Sequence, residues 1–507
     1  MKESILINSM YAEKIPPYIK NIMQALLSAG YKVYIVGGAV RDLLLEKSPG
    51  DFDLATDALP EATLAICRRQ GWSTIDKLGS NFGCVVAIVE QHPVEITTFR
   101  GENYGQDAHR PDKIWYCRQL KDDLSRRDFT VNAMAMDIHG QITDYFNGQQ
   151  DLRHKLLRTV GNAQQRYEED ALRMLRACRF VGQLGFTYVQ QKQLLPAFGQ
   201  KGSPYYLLHN FSFPTERCAG LSLARVKKEL DKLLLTPYAG HGLMLFLATG
   251  LANSVCRVKC GGRYQTVALL PELQHLAGLH QNPRFHCFDT WEHTLKAIDN
   301  SPQELTIRWS LLLHDIGKGL PGIRCLNREG QPSDHGHEAQ SAVMAEKILT
   351  RLQYPEKFIR EVVWLVAQHM RFAPMLVTGR KPLLHWIRTE AASAHFRSSA
   401  EMAAAYSKLT EVFLSDMGAT NAAANTALMQ AGRELSEQVI AAAAAYPVHT
   451  ADLKLSGKEL LQLYPKADLK YLLNYLLQRV QSGNLANDKN ELLTAVQKYL
   501  QKRQEQL

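Results

Sequence analysis

Short β-branched runs alternate with helical spacing over the first 140 positions, and helical spacing dominates afterwards. The apolar positions Ile22, Leu26 and Leu27, entered through Ile15-Pro16-Pro17, predict a helix that opens a domain. Lys32 to Val36, Cys84 to Val89 and Val94 to Phe99 predict short strands, whereas Pro60 to Arg69 carries the spacing of a helix, which makes this part an α+β module. Beyond about residue 145 the pattern predicts helices throughout. Three breaks in composition predict joints between domains: Gly202-Ser203-Pro204, Cys256 to Arg263 with its two glycines, and Val377 to Pro382. The alanine runs at 403–405 and 441–445 suit helix surfaces or tight helix packing.

A chain of 507 residues exceeds what one hydrophobic core sustains, roughly 250–300 residues, so three or more domains are expected. With 46% hydrophobic and 21% charged residues, the composition is that of a globular chain with sizeable cores. Lys and Arg number 59 against 50 Asp and Glu, a mild positive balance that suits a polyanionic partner without requiring one. The nine cysteines are scattered, and Cys256 and Cys260 lack a second pair to complete a zinc site, which predicts a reducing cytoplasmic setting. Neither a secretory start nor an apolar run of about 18 residues is present, so no membrane role is expected.

The chemistry concentrates in residues 33–180. Val36-Gly37-Gly38-Ala39-Val40-Arg41-Asp42 puts two glycines between a strand and a helix, where bare amides and a helix N-terminus can hold phosphate. Alone, such a pair is more often a tight turn. Downstream, Asp51 and Asp53 alternate along a predicted strand and so share a face. Two such carboxylates can share divalent metals for two-metal phosphoryl transfer to a hydroxyl, with release of pyrophosphate. Glu95 on the strand ending at Arg100 is a candidate third acid, as metal ligand or base, and a solvent-facing strand glutamate is the equal alternative.

Gly37-Gly38-x-x-Arg41-Asp42 followed by Asp51-x-Asp53 resembles the signature of the DNA polymerase beta-like nucleotidyltransferases. Arg126-Arg127-Asp128-Phe129-Thr130-x-Asn132-Ala133 resembles the second motif of the bacterial class II CCA-adding enzymes, with bacterial poly(A) polymerases as close relatives. The resemblance runs in order over residues 30–240. It implies a head with a mixed sheet and helices, followed by a mostly helical neck, HD domain and tail, divided at 1–145, 146–275, 276–376 and 377–507. It further implies CMP and AMP transfer from CTP and ATP to the tRNA 3′ end, with Mg2+ at Asp51 and Asp53. An A-adding or CC-adding enzyme, or a poly(A) polymerase, would share most of these motifs. Arg127 is expected at the triphosphate or sugar, since its fork matches phosphate oxygens.

Glu169-Asp170-Ala171-Leu172-Arg173 predicts a helix with Asp170 and Arg173 on one face. A carboxylate that accepts beside a guanidinium that donates pairs with cytosine and adenine, and not with uracil or guanine. The plain alternative is a surface ion pair. By the same resemblance Arg176 and Arg179 contact the nucleotide, and residues 101–111 occupy the place of a flexible loop needed for A addition.

A separate constellation, His293, His314-Asp315, His337 and His369, with Asp416 as a further carboxylate, resembles an HD-type phosphohydrolase site. Imidazole and carboxylate suit a divalent transition metal such as Ni2+ or Mn2+, with phosphate ester hydrolysis as the implied activity. Leu453 to Leu460 and Gly483 to Asn487 resemble the family's tRNA-binding tail, although Tyr464 to Lys470 departs from it; Lys470, Lys498, Lys502 and Arg503 are candidate phosphate contacts there. Oligomeric state is left open.

Overall fold

The computed structural model describes residues 10–75, 83–103, 113–190, 193–194, 213–378, 381–393, 395–465 and 468–504. The chain forms two compact units, residues 1–274 and 275–507. The first is built on a seven-stranded sheet in the order β3-β4-β5-β2-β1-β8-β9. These strands are β1 (Val33–Val36), β2 (Asp53–Thr56), β3 (Ser73–Ile75), β4 (Cys84–Val89), β5 (His92–Thr98), β8 (Met134–Met136) and β9 (Ile142–Asp144). Only the β2–β5 pair is parallel, so the sheet is mixed. A side hairpin joins β6 (Arg100–Asn103) to β7 (Lys113–Tyr116).

Helices α1 (Pro17–Ser28), α2 (Gly38–Leu44) and α3 (Pro60–Arg69) accompany this sheet. α1 buries Ile19, Ile22, Met23 and Leu26, the apolar stripe predicted for it. Both α1 and α3 begin with proline at their first turn, where the missing N–H costs nothing. Helices α4 (Leu120–Ser125), α5 (Gly148–Arg153), α6 (Ala163–Glu169), α7 (Leu172–Leu184), α8 (Leu223–Leu234) and α9 (Ala239–Ala248) follow. α7 and α9 approach closely because Gly242 lacks a side chain that would otherwise run into the Cys178 carbonyl.

The all-helical reading beyond residue 145 needs correction. β10 (Leu156–Arg158), β11 (Thr187–Gln190) and β12 (Gln193–Leu194) make a small sheet, and β13 (Val255–Cys260) pairs with β14 (Arg263–Ala268). The glycine-containing patch at Cys256 to Arg263 is therefore a hairpin inside the first unit. Gly261 and Gly262 both take positive φ at its turn, which glycine adopts without strain. Residues 202–204 and 104–112, including most of the expected flexible loop, lie outside the described residues.

The second unit holds a short pair β15 (Arg324–Leu326) and β16 (Pro332–Asp334), and is otherwise helical. Its helices are α10 (Thr290–Asn300), α11 (Leu305–Leu313), α12 (His337–Arg351), α13 (Glu356–Gln368), α14 (Phe372–Thr378), α15 (Lys381–Ala392), α16 (Ser399–Met417) and α17 (Thr426–Ala445), then α18 (Gly457–Leu463), α19 (Leu469–Gln481) and α20 (Lys489–Gln504). Val377 to Pro382 runs from the last turn of α14 into the first turn of α15, and residues 379–380 within it lie outside the described residues. An aromatic core of Trp364, Phe372, Trp386, Tyr406 and Phe413 fills the middle, and a smaller core of Leu455, Leu460, Leu472, Leu476, Leu492 and Val496 fills the end. There Ser456 and Glu459 form a capping box on α18. Asn487 accepts a hydrogen bond from the Lys454 amide, which ties the two tail motifs together.

Candidate functional site

Register places the glycine pair against the carboxylates. Val36, the last residue of β1, lies opposite Asp53, the first of β2, so the chain leaves β1 through Gly37 beside Asp53. Gly37 takes a φ of 75°, and a Cβ there would meet the Arg127 guanidinium at 3.0 Å. Asp51 precedes β2 instead of lying on it, yet both aspartates line one cavity of about 690 Å³. Glu95 is exposed on β5 next to β2, outside the cavity wall, and near enough to act on Asp53 electrostatically.

Burial, then Asp51, then Glu95 push the Asp53 carboxyl up to about 6, against the pull of Arg127. A carboxyl pushed up by two neighbouring acids fits a divalent cation, whose charge would reverse the balance.

Eight arginines and five carboxylates line this cavity. Arg41 is buried and forked, donating to Asn132 Oδ1 at 2.7 Å and to Asp42 Oδ1 at 2.9 Å. Asp42 thus braces Arg41 and does not reach the cavity wall. Arg127 lies 3.5 Å from Asp123, with its Nε left without a partner. Arg176 pairs with the buried Asp128 through Nε at 2.8 Å. Arg179 pairs with Glu229 at 2.7 Å. The Phe180 ring collects three guanidiniums: Arg179 at 4.2 Å from its centroid, Arg41 and Arg176 each at 5.4 Å.

The single helix expected through Glu169 and Arg173 is broken. α6 ends at Glu169, Asp170 is extended, and α7 starts at Leu172. Asp170 instead caps α7 by accepting from the Leu172 amide at 3.0 Å, a habit of aspartate that competes with helix interiors. Both Asp170 and Arg173 still line the cavity. Burial pushes the Asp170 carboxyl up, more than Arg173 pulls it down. Arg173 is buried and donates to Glu169 at 2.8 Å and to the Arg126 carbonyl at 2.8 Å, so its orientation is set before any base arrives.

Sequence reasoning gave no role to Asp123, Asp128, Asn132, Glu102 or Arg225. Asp123 is fully buried between Arg126 and Arg127, and Glu102 also holds Arg126 at 2.9 Å. Asp128 and Asn132 belong to a motif that was noticed, but their partners Arg176 and Arg41 lie 48 and 91 residues away. No local pattern announces such pairs.

In the second unit the four histidines and two aspartates converge. His293 lies on α10, His314 and Asp315 follow α11, His337 opens α12, His369 follows α13, and Asp416 sits in the last turn of α16. His293 Nε2 is 3.3 Å from His314 Nε2 and 2.9 Å from Asp416 Oδ1; His337 Nε2 is 3.3 Å from His369 Nε2 and 3.1 Å from Asp315 Oδ1. Each Nδ1 faces a backbone carbonyl: Ala419, Leu311, Asp334 and Val366 respectively for His293, His314, His337 and His369.

With Nδ1 donating, every Nε2 turns a lone pair inward, toward other lone pairs and carboxylates. Lys318 Nζ lies 2.8 Å from Asp315 Oδ2 but off the direction of a hydrogen bond, so this buried oxygen has no hydrogen-bond partner. Burial and the neighbouring His314 and His337 hold His369 down near 3, hence neutral at physiological pH. The set fits a divalent transition metal. A cavity of about 950 Å³ opens on His337, with His286, Lys318, Arg371, His385 and Trp386 in its wall.

The family model described as the poly A polymerase head domain matches residues 33–158, and the HD domain model matches residues 285–443. Both domain types imply use of divalent metal. A CCA-adding enzyme of Geobacillus stearothermophilus is 43% identical over 306 residues, 57% of this chain and 70% of the relative. For that of Geobacillus thermodenitrificans the identity is 43% over 241 residues, 47% of this chain and 54% of the relative. The chain thus spans about half the length of several curated relatives it matches. The solved structure of the Bacillus stearothermophilus CCA-adding enzyme in complex with CTP covers 97% of this chain and all of its own, at 26% identity and a TM-score of 0.59. No helix among the described residues is long and apolar enough to cross a membrane. With the carboxylates, glycine pair and arginines lining one cavity and a relative covered over 70% of its length, the chain belongs to the family of the CCA-adding enzymes.

Proposed function

We propose that the chain adds CCA to the 3′ end of tRNA without a template, using CTP and ATP and releasing pyrophosphate, in the cytoplasm. The observation that carries this reading is the one cavity lined by Gly37, Gly38, Asp51 and Asp53 together with Asp170 and Arg173. Such a shared wall supports a reading in which phosphate grip, metal carboxylates and base-reading groups serve one nucleotide. Asp51 and Asp53 hold Mg2+, with Glu95 adding negative charge from the next strand. When bound, the metal lowers the cost of ionising the attacking hydroxyl and of charge build-up on the leaving pyrophosphate.

Gly37, Gly38, Arg41 and Arg127 grip the triphosphate, and Arg176 and Arg179 extend that positive wall. Asp42 keeps the Arg41 fork aligned. Asp170 accepts from the exocyclic amine of cytosine or adenine, and Arg173 donates to the neighbouring ring acceptor. Uracil presents a carbonyl oxygen to the Asp170 carboxylate and a ring N–H to the Arg173 guanidinium, oxygen against oxygen and donor against donor, which separates the bases by several kcal/mol at most, about 10⁴–10⁵-fold. The functional segments are residues 1–145, 146–275, 276–376 and 377–507, as head, neck, HD domain and tail; the HD family match runs on to residue 443 and takes in Asp416 of the last segment, while Lys470 and Lys498 of the tail are available to RNA phosphates.

The HD unit is proposed to hydrolyse phosphate esters, with Ni2+ or Mn2+ held by His293, His314, Asp315, His337, His369 and Asp416. Lys318 and Arg371 in the adjoining cavity place cations where a phosphate would lie.

The test supplies tRNAs ending before CCA, after C and after CC with CTP and ATP, separately and together. Growth by three nucleotides supports the reading. Extension of the CC-ended tRNA alone would make the chain an A-adding enzyme, and no extension would overturn the assignment.

A further inference from the structure

We propose, resting on the tRNA reading above, that the β13–β14 hairpin is an RNA contact: Arg257, Lys259 and Arg263 meet phosphates of the tRNA, and one unpaired base stacks on Tyr264. Cross-strand register sets Arg257 opposite Thr266 and Lys259 opposite Tyr264. Strand alternation therefore gathers Arg257, Lys259 and Tyr264 on one face, with Arg263 beside the turn. The other face carries Cys256, which is fully buried. A two-stranded sheet packed through one face leaves its second face to solvent.

That second face differs from a merely solvated one. No Asp or Glu stands between Ser254 and Leu270, and Lys259 and Arg263 are exposed, with no ion pair among the described residues. Tyr264 is 64% exposed, which leaves most of a large ring in water. The Arg257 guanidinium lies 5.0 Å from the centre of that ring, and its Nε is enclosed without a hydrogen-bond partner. This stack braces the tyrosine and leaves the rest of the ring open. An open aromatic ring flanked by cations and free of carboxylates suits RNA, whose unpaired bases stack while its phosphates meet the cations. A protein partner or a lipid surface would need a wider apolar patch than one ring supplies.

The root of the hairpin connects this face to the nucleotide cavity. The Arg257 amide donates to the Leu221 carbonyl at 2.8 Å, and Ser222 forms a β-bridge to Arg257. α8 starts one residue later, at Leu223, and carries Arg225 of the cavity wall in its first turn. Backbone hydrogen bonds thus tie the basic face to a helix that lines the cavity receiving the RNA 3′ end.

The experiment measures binding of a tRNA lacking CCA to the full chain over a range of salt concentrations. The variants are Lys259→Ala with Arg263→Ala, Tyr264→Ala, and Tyr264→Phe. Removing the two cations should weaken binding about tenfold or more and lower the slope of log affinity against log salt by about 1.4, for two contacts at about 0.7 each. Tyr264→Ala should raise KM for tRNA about tenfold at unchanged kcat, and Tyr264→Phe should keep the wild-type value. CTP affinity, read by calorimetry, should not change in any of them. Loss of tRNA and CTP affinity together would make the hairpin a structural brace and overturn the contact. Wild-type tRNA affinity and salt slope in both alanine variants would also overturn it and leave the tRNA reading standing. No binding or extension of tRNA by the unaltered chain would overturn both.

Discussion

Asp53→Asn should stabilise the metal-free head at neutral pH even as it removes nucleotide transfer. The native carboxyl ionises near 6 instead of at its ordinary 3.8. A shift of this size and sign means that the fold favours the protonated form. The stability it contributes is fully present below the unfolded value of 3.8, and is lost as pH rises through the folded value near 6. By pH 7 the loss is complete and amounts to at most about 3 kcal/mol, from 1.36 kcal/mol per unit; partial solvation of Asp53 reduces it. Asparagine keeps the shape without the charge and so avoids the loss. Mg2+ should narrow the gap, because it stabilises only the ionised wild-type site by mass action. The assay is hydrogen exchange of the β1 and β2 amides with and without Mg2+, at pH 7 and pH 4.5, in both proteins. Protection that is equal in the two metal-free proteins at pH 7 would refute the electrostatic argument.

Asp51→Ala should reduce CMP incorporation into tRNA by on the order of 10²–10³-fold or more while leaving the phosphatase rate of the HD unit intact, measured with labelled CTP and a chromogenic phosphate ester. Gly37→Ala forces a side chain into positive φ and against Arg127, so CTP affinity measured by calorimetry should fall by about tenfold, or about 1.4 kcal/mol. Asp170→Asn exchanges an acceptor for a mixed amide, and the ratio of CTP to UTP incorporation should drop, with kcat/KM for UTP rising.

Much of the head was legible because its chemistry is local. Asp51 and Asp53 are two residues apart, and the glycine pair directly follows the strand that register sets beside them. The helix break at Asp170 was not legible, because alternation of Asp and Arg at three residues suits one helix as well as a capped second one. The β13–β14 hairpin was missed for a related reason: two glycines mark a loss of regular structure, and whether a domain joint or a tight turn follows depends on pairing that no short window contains. Pairs such as Asp128 with Arg176 are set by packing of distant segments, so they emerge only once the fold exists. The six HD residues were legible by type, whereas the splitting of Asp315 between two histidine pairs needed coordinates.

The ring of Phe180 has one more consequence. Three like-charged guanidiniums gathered at 4.2–5.4 Å from one aromatic centre repel each other, and the quadrupole of the ring only softens that repulsion. Asp42, Asp128 and Glu229, one to each guanidinium, hold the three together, so a polyphosphate adds to a wall of standing ion pairs and shares their donors. Inorganic triphosphate should raise the melting temperature of the head, and CTP should raise it further by the share the base contributes, on which choice between nucleotides operates.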